Sequence, residues 1–251
     1  MRTAVISDIH GNLEALEAVI GDIATRSADR IICLGDIVGY GPNPVECVDL
    51  VAETCEWSLI GNHDFGVLYE PTNFNYAAEQ AAYWTRRQFE QETDSEKAAR
   101  RWDFLGRLRV RVLDGPFLCV HGSPRRPINE YLFPEDAVNS PVKMQQIFER
   151  IEKYCLVGHT HVPGVFTDEP DFYPPADLDA VYTFVNGEKA IINPGSIGQP
   201  RDLNPRASYC VMDLERVEFY RVEYDTEAVA KKIKAIPELS DWLGERLLEG
   251  R

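Results

Sequence analysis

The chain has 251 residues, 44% hydrophobic and 27% charged, enough to bury a sizeable core in one large domain or two small ones, and this excludes a disordered polymer. Its 41 acidic against 26 basic side chains leave a net charge of −15, so the surface as a whole repels nucleic-acid backbones and anionic membranes. No apolar run approaches the ~20 residues that span a bilayer, and the first, Ala4 to Ile6, is cut by Asp8 and His10 before it could serve as a secretory signal.

The chain opens with Thr3–Ser7, a near-continuous apolar run of the kind buried on both faces of an α/β sheet. Leu13, Leu16, Ile20 and Ile23 follow at helical spacing, with Asn12 placed to cap them. Arg30–Leu34 reads as a second strand, Pro44 opens a helix through Cys55, and Trp57–Ile60 reads as a third strand. This β-α-β-α-β order predicts a layered α/β fold with right-handed crossovers. Asn75 to Leu108 is polar and free of proline, and Ala78, Ala81, Ala82, Thr85 and Phe89 give it a helical stripe. It predicts one or two helices inside an insertion over residues 65–115.

Pro116–Val120 and Tyr154–Val157 are further strand candidates, after which Pro163, Pro170, Pro174 and Pro175 break the pattern. From Val181 the sequence alternates, with Asn186-Gly187 predicting a hairpin turn. SYCVMDLE and VEFYRVEY form a last strand pair, followed by a helix from Thr226 to Ala235 and a short tail. With no repeat of 20–50 residues and no low-complexity linker, residues 1–251 are expected to form a single domain. The six cysteines include no CxxC pair, and Cys33, Cys119, Cys155 and Cys210 sit in apolar segments. They read as small buried hydrophobes of a reducing, cytoplasmic compartment.

Each of the first five strand candidates runs directly into polar residues able to bind a metal: Asp8-Ile9-His10, Gly35-Asp36, Gly61-Asn62-His63-Asp64, His121-Gly122 and Gly158-His159-Thr160-His161. Ligands of α/β sheets bind outside the carboxyl ends of strands, so the clusters are expected to converge on one edge. All five histidines of the chain are spent there. A single histidine after a strand is ordinarily a solvated loop residue, a reading hard to sustain for all of them. In extended segments residues i and i+2 project to one side, which pairs Asp8 with His10 and His159 with His161. With Asp36, Asn62 and His121 these make a nitrogen and oxygen donor set without thiolate, too large for one tetrahedral ion and suited to two octahedral-like ions sharing a carboxylate.

DIH, GD, GNHD, HG and GHTH in this order, spanning Asp8 to His161, resemble the signature of the calcineurin-like metallophosphoesterases, and among them a compact prokaryotic phosphodiesterase- or phosphatase-like branch. The resemblance implies a four-layer α/β/β/α sandwich. It implies Asp8, His10 and His161 around one divalent ion and Asn62, His121 and His159 around another, with Asp36 bridging and the metals drawn from Mn, Fe and Zn. Two such ions lower the pKa of a bridging water and clamp phosphoryl oxygens for in-line attack of hydroxide. His63 would stabilise or protonate the departing oxygen. Asp64 would orient that imidazole, its alternative being a loop-capping aspartate.

The second motif, GDIVGYGPNP, carries Gly39 and Tyr40 where the GDxxDRG pattern of protein phosphatases and symmetrical dinucleoside tetraphosphatases has an acid and a phosphate-binding arginine. Substitute cations for substrate binding are Arg125, beside Arg126, and Arg201, in the segment that also holds Arg206. Tyr76, Tyr83 and Trp84 are candidates for stacking on a base, against a core role. The expected function is hydrolysis of a small phosphate ester or diester by metal-bridging hydroxide. The alternatives are a phosphoprotein phosphatase, a dinucleoside polyphosphate hydrolase, or a non-catalytic binding scaffold. The expected partner is a small phosphorylated molecule, not a long nucleic acid or a membrane.

Overall fold

The computed structural model describes residues 1–169 and 171–251; Pro170, one of the expected strand breakers, lies outside them. The first half alternates as expected: β1 (Thr3–Ile6), α1 (Leu13–Ile23), β2 (Arg30–Cys33), α2 (Pro44–Thr54) and β3 (Cys55–Ser58). Asn12 caps α1, its side chain accepting from the Ala15 N–H at 3.1 Å. Three helices follow, α3 (Asn62–Leu68), α4 (Tyr76–Glu90) and α5 (Ser95–Gly106), and then β4 (Arg111–Asp114) and β5 (Phe117–Val120). The chain continues through α6 (Asp136–Asn139), α7 (Pro141–Phe148), β6 (Tyr154–Leu156), β7 (Gly164–Thr167), β8 (Asp171–Tyr173), β9 (Val181–Thr183), β10 (Ala190–Asn193), β11 (Ala207–Met212) and β12 (Arg216–Val222). It closes with α8 (Thr226–Lys234) and α9 (Asp241–Glu249).

Among the described residues the strands form two six-stranded sheets, ordered β3-β2-β1-β11-β12-β9 and β4-β5-β6-β10-β7-β8. The period of two along each strand builds the layers. Val5, Ile32 and Leu34 of the first sheet meet Phe117, Cys119 and Ile192 of the second in one buried cluster. On the far face of the first sheet Ala4 and Ile6 pack with Leu16 and Val19 of α1 and Val48 and Val51 of α2. On the far face of the second, Leu118, Val120 and Ile191 pack with Met144, Ile147 and Phe148 of α7. Helices, sheet, sheet, helices: the α/β/β/α sandwich follows from alternation alone.

Three expectations change. The five strands that precede the polar clusters are divided between the sheets, with β1, β2 and β3 in one and β5 and β6 in the other. Their parallel pairings leave the carboxyl ends of both groups at a common edge. Asn186-Gly187 does not turn a hairpin, because β9 pairs with β12 in the first sheet while β10 sits between β6 and β7 in the second. The expected tail is instead α9, with Leu243 and Leu247 buried one turn apart and Gly250 ending it in the left-handed region. All six cysteines are free, and no helix among the described residues is long and apolar enough to cross a membrane.

Candidate metal centre

Asp8, His10, Asp36, His159 and His161 all adopt positive φ, from +51° to +67°. The pairs Asp8/His10 and His159/His161 are therefore not side by side on extended strands; each chain leaves its strand in a sharp left-handed bend that turns both side chains inward. Such conformations cost about 1–3 kcal/mol each for non-glycine residues and persist only where the surroundings over-determine them. Here neighbouring loops hold one another: the N–H groups of Asp8, His10 and Gly11 donate to the carbonyls of Gly35, Asp36 and Ile37, each at 2.9 Å. The β10–β11 loop closes the arrangement, with Ser196 Oγ and Gly198 N both donating to the Asp8 carbonyl, at 2.8 and 2.9 Å. A Cβ on Gly198 would lie 1.7 Å from the Ile9 carbonyl oxygen. Gly198→Ala is thus expected to cost more than the ~1–3 kcal/mol of ordinary overpacking, read as a fall in thermal midpoint together with loss of bound metal.

The seven expected ligands come together, all of them buried. Asp8, His10, Asp36 and His161 form one group of donor atoms within 4.8 Å of one another, and Asp36, His121 and His159 form a second that shares Asp36. Asn62 joins the second group, its Oδ1 lying 3.3 Å from His121 Nε2. Three imidazoles are held from behind: Nδ1 of His10, His121 and His161 donates to the carbonyls of Val38, Leu34 and Gln199 at 3.2, 2.9 and 2.6 Å. Those bonds fix the tautomer and leave each Nε2 facing the centre, the arrangement that orients metal-bound histidine.

The donor chemistry fits cations. His10 Nε2 and His161 Nε2 face each other at 3.1 Å, and with both Nδ1 atoms protonated these are two lone pairs that only a shared electrophile reconciles. His159 Nε2 is buried with no hydrogen-bond partner. Burial alone would raise the Asp36 carboxyl, but the His121 and His63 imidazoles hold it well below the usual range. Asp8 is likewise lowered, burial being outweighed by His161. Burial opposes protonation of His121, yet Asp36 and Asp8 raise it to about 9, whereas burial pushes His159 down to about 3 and His10 well below its ordinary value. Two buried carboxylates thus face one imidazolium and several bare nitrogens, a negative balance that divalent cations neutralise.

His63, the second residue of α3, donates its N–H to Asp36 Oδ1 at 2.8 Å. Its ring packs 4.3 Å from Tyr40, 4.6 Å from Phe74 and 4.8 Å from His10. Burial lowers it to about 4, so the imidazole is neutral at pH 7. Asp64 does not orient it: Nδ1 of His63 has no partner, and the Asp64 oxygens accept instead from the N–H groups of Asp36, Ile37, Val38 and Gly61 at 2.8 to 3.2 Å. Burial and the Asp36 charge push Asp64 up to about 7 against those donors. It is a loop cap that sets the position of Asp36, because a carboxylate surrounded by four amides has no acceptor left for an imidazole.

Arg125 also lies elsewhere, paired with Glu130 at 2.5 Å and bonded to Gln146, while exposed Arg126 lines the cavity beside the centre. Arg201 lies beside the centre, its N–H donating to the His161 carbonyl at 3.3 Å and its guanidinium to Gln199 Oε1 at 2.8 Å. Exposed Arg206 bonds Asn204. Tyr76 and Tyr83 are exposed and Trp84 is buried in a hydrophobic cluster, so none of the three is available for stacking at the site. The aromatic walls are instead Tyr40, Phe74 and Tyr131, around a cavity of about 640 Å³. Tyr131 stacks on His159 with centroids 3.8 Å apart. Phe74 and Tyr131 occupy irregular segments without periodicity, which is why the sequence does not mark them.

Comparison with known proteins gives a consistent picture. The calcineurin-like phosphoesterase superfamily domain matches residues 1–217. The chain is 40% identical over 258 aligned positions to the uncharacterized protein MJ0912 of Methanocaldococcus jannaschii, covering 99% of this chain and 98% of that protein. Among solved structures it is similar to a metallophosphoesterase from Sphaerobacter thermophilus, with 39% identity, TM-score 0.82, and 100% and 99% of the two chains covered. The hypothetical protein PH1004 of Pyrococcus horikoshii OT3 shares the fold at TM-score 0.75 and 20% identity, over 100% and 98% of the two chains.

Proposed function

The chain belongs to the calcineurin-like phosphoesterase superfamily, and from that premise we propose that it hydrolyses a small phosphate monoester or diester with the help of two divalent ions. The observation that carries this reading is the sharing of one carboxylate, Asp36, between two buried donor groups. Asp8, His10 and His161 would hold one ion, Asn62, His121 and His159 the other. Imidazole, carboxylate and amide donors without thiolate suit Mn, Fe or Zn. Such ions supply Lewis acidity toward phosphoryl oxygens and lower the pKa of water.

The chain's own residues supply position and a hydrogen-bond donor. His63 is neutral, and its Nδ1 is buried without an acceptor; the tautomer that leaves Nδ1 bare carries the proton on Nε2. That N–H would donate a hydrogen bond to the departing oxygen and stabilise its developing charge, since His63 lines the cavity. A Cβ on residue 39 would come within 2.5 Å of His63 Nδ1, so Gly39 makes room for the imidazole that Tyr40 and Phe74 clamp. Asp64 fixes the loop of Asp36 through its amides. The cavity of about 640 Å³ is of small-molecule size, and the net charge of −15 weighs against long polyanions.

Protein loaded separately with Mn²⁺, Fe²⁺ or Zn²⁺ is expected to cleave p-nitrophenyl phosphate or bis(p-nitrophenyl) phosphate, to stop on chelation, and to recover on metal return. Cleavage of a phosphopeptide or diadenosine tetraphosphate alone would replace this reading by one of those activities. No turnover of any of the four by fully loaded protein would favour the scaffold.

A further inference from the structure

Resting on the phosphoesterase reading, we propose that Arg126 forms a second anion-binding subsite at the mouth of the cavity, which selects phosphate esters whose alcohol part carries a carboxylate or a second phosphate at its far end.

Burial orders the cavity from floor to mouth. Asn62, His63 and His159 are each less than a tenth exposed and form the floor at the metal centre. Phe74, half-buried, and Tyr131, 39% exposed, come next, packed on the rings of His63 and His159 at 4.6 and 3.8 Å. The mouth is made by two stretches, residues 72–75 and 126–129, in which Thr72, Asn73, Asn75, Arg126 and Asn129 are exposed. The volume of about 640 Å³ is far more than a phosphoryl group fills. An ester with its phosphoryl on the floor therefore meets the mouth with its other end.

Charge singles out Arg126. The chain has 41 acidic residues, yet none of them, and no lysine, lines this cavity, so Arg126 is the one permanent charge in its wall among the described residues. The neighbouring carboxylate that could cancel it is already engaged: Glu130 pairs with Arg125 at 2.5 Å and accepts from Ser123 Oγ. Arg126 itself has no side-chain carboxylate within ion-pair distance among the described residues. The other polar side chains at the mouth are carboxamides and a hydroxyl, which hydrogen-bond but carry no charge.

The main chain holds Arg126 in place whatever its side chain does. Its N–H donates to Ser123 Oγ at 3.2 Å, its carbonyl accepts from Ser123 N at 3.3 Å, and Gly122 N donates to the Pro127 carbonyl at 2.6 Å. A Cβ on Gly122 would lie 2.9 Å from the Arg126 carbonyl oxygen, so this tight turn ties the arginine to His121. A guanidinium rooted in this way offers two parallel N–H bonds that match a carboxylate or a phosphate. It stands exposed while the floor is buried, so the two anions of one substrate are separated by the aromatic middle of the cavity.

Calorimetry on Mn²⁺-loaded protein freed of excess metal compares three phosphonates that resist hydrolysis: benzylphosphonate, 4-carboxybenzylphosphonate and p-xylylenediphosphonate. The unmodified protein is expected to bind a tail-bearing probe about 5- to 10-fold more tightly than benzylphosphonate, between the scale of an exposed ion pair and that of a charged hydrogen bond. The tighter of the two, after about twofold is allowed for the equivalent ends of the diphosphonate, identifies the tail as carboxylate or phosphate. Arg126→Gln should erase most of the preference and Arg126→Lys should restore part of it, with thermal melting checking the fold. Equal affinity of the unmodified protein for all three probes, or binding of none, overturns the proposal. So does a proportional loss for all three in Arg126→Gln, which would place the guanidinium on the metal-bound phosphoryl, or no loss at all. Because binding is read without turnover, a chain that shows this preference but cleaves no phosphate ester would end the phosphoesterase reading and leave the subsite standing.

Discussion

Asp36→Asn protein is expected to fold, to lose at least one metal ion per chain and to show no measurable phosphoesterase turnover. The change is nearly isosteric, so the Oδ1 that accepts from His63 N–H at 2.8 Å can remain an acceptor. What disappears is charge, together with one of two donor oxygens at the position common to both ligand groups. His121 Nε2 lies 3.3 Å and His10 Nε2 3.6 Å from Asp36 Oδ2; an amide nitrogen there would point N–H bonds at a cation. Loss of a mere outer partner of a metal ligand costs about 10–100-fold in affinity, and a shared first ligand should cost more than that. Elemental analysis after gel filtration gives the stoichiometry and a p-nitrophenyl phosphate assay the rate. Two retained ions at full activity would remove Asp36 from the bridging position.

His63→Ala is the second large effect, and it should separate cleanly from the first. No hydrogen bond ties the His63 ring to the ligands, and only its main-chain N–H bonds Asp36, so both ions should stay. Turnover should fall by about 10²–10³-fold, the range for a lost hydrogen-bond donor to developing negative charge. The loss should depend on the leaving group: near the upper end for an alkyl phosphate, whose alkoxide concentrates negative charge on the departing oxygen, and much smaller for p-nitrophenyl phosphate. Removing a ring packed against Tyr40 and Phe74 also leaves a cavity, so thermal melting must show the variant folded at the assay temperature. A loss of equal size for both substrates would assign His63 a role in binding the phosphoryl group and not at the departing oxygen.

The strand candidates, the capped first helix and the ligand clusters are legible in the sequence because each is a local pattern. An apolar run ends within a residue or two of a polar one at Asp8, Asp36, Asn62, His121 and His159, with a glycine directly before Asp36, Asn62 and His159 and directly after His121. Asp64 is legible only as an aspartate near a histidine. Its role is decided by amides 26 to 28 residues away, and sequence adjacency to His63 points the wrong way. Arg125 follows a ligand histidine closely and is neutralised by Glu130, whereas Arg201, far along the chain from that histidine, is held beside the centre by its N–H bond to the His161 carbonyl. Helix α9 carries readable signals in the Leu243/Leu247 spacing and Gly250, but nothing local in them indicates a docking site on Tyr40.

The acidic excess illustrates the same division. From composition alone, −15 over 251 residues argues against phosphate-rich partners, and the donor clusters already qualify that by implying bound cations. The layered α/β order, the donor residue types and their grouping after strands are readable from the chain alone, since these depend on periodicity and turn chemistry within short windows. It took the packed fold to show how these strands divide between two sheets with a common edge, that Asp64 caps the Asp36 loop and leaves His63 alone, and that Arg125 is spent on Glu130. Those outcomes depend on pairing and packing between segments far apart in the chain, where the partner of a buried charge is chosen by the fold and not by its neighbours in sequence.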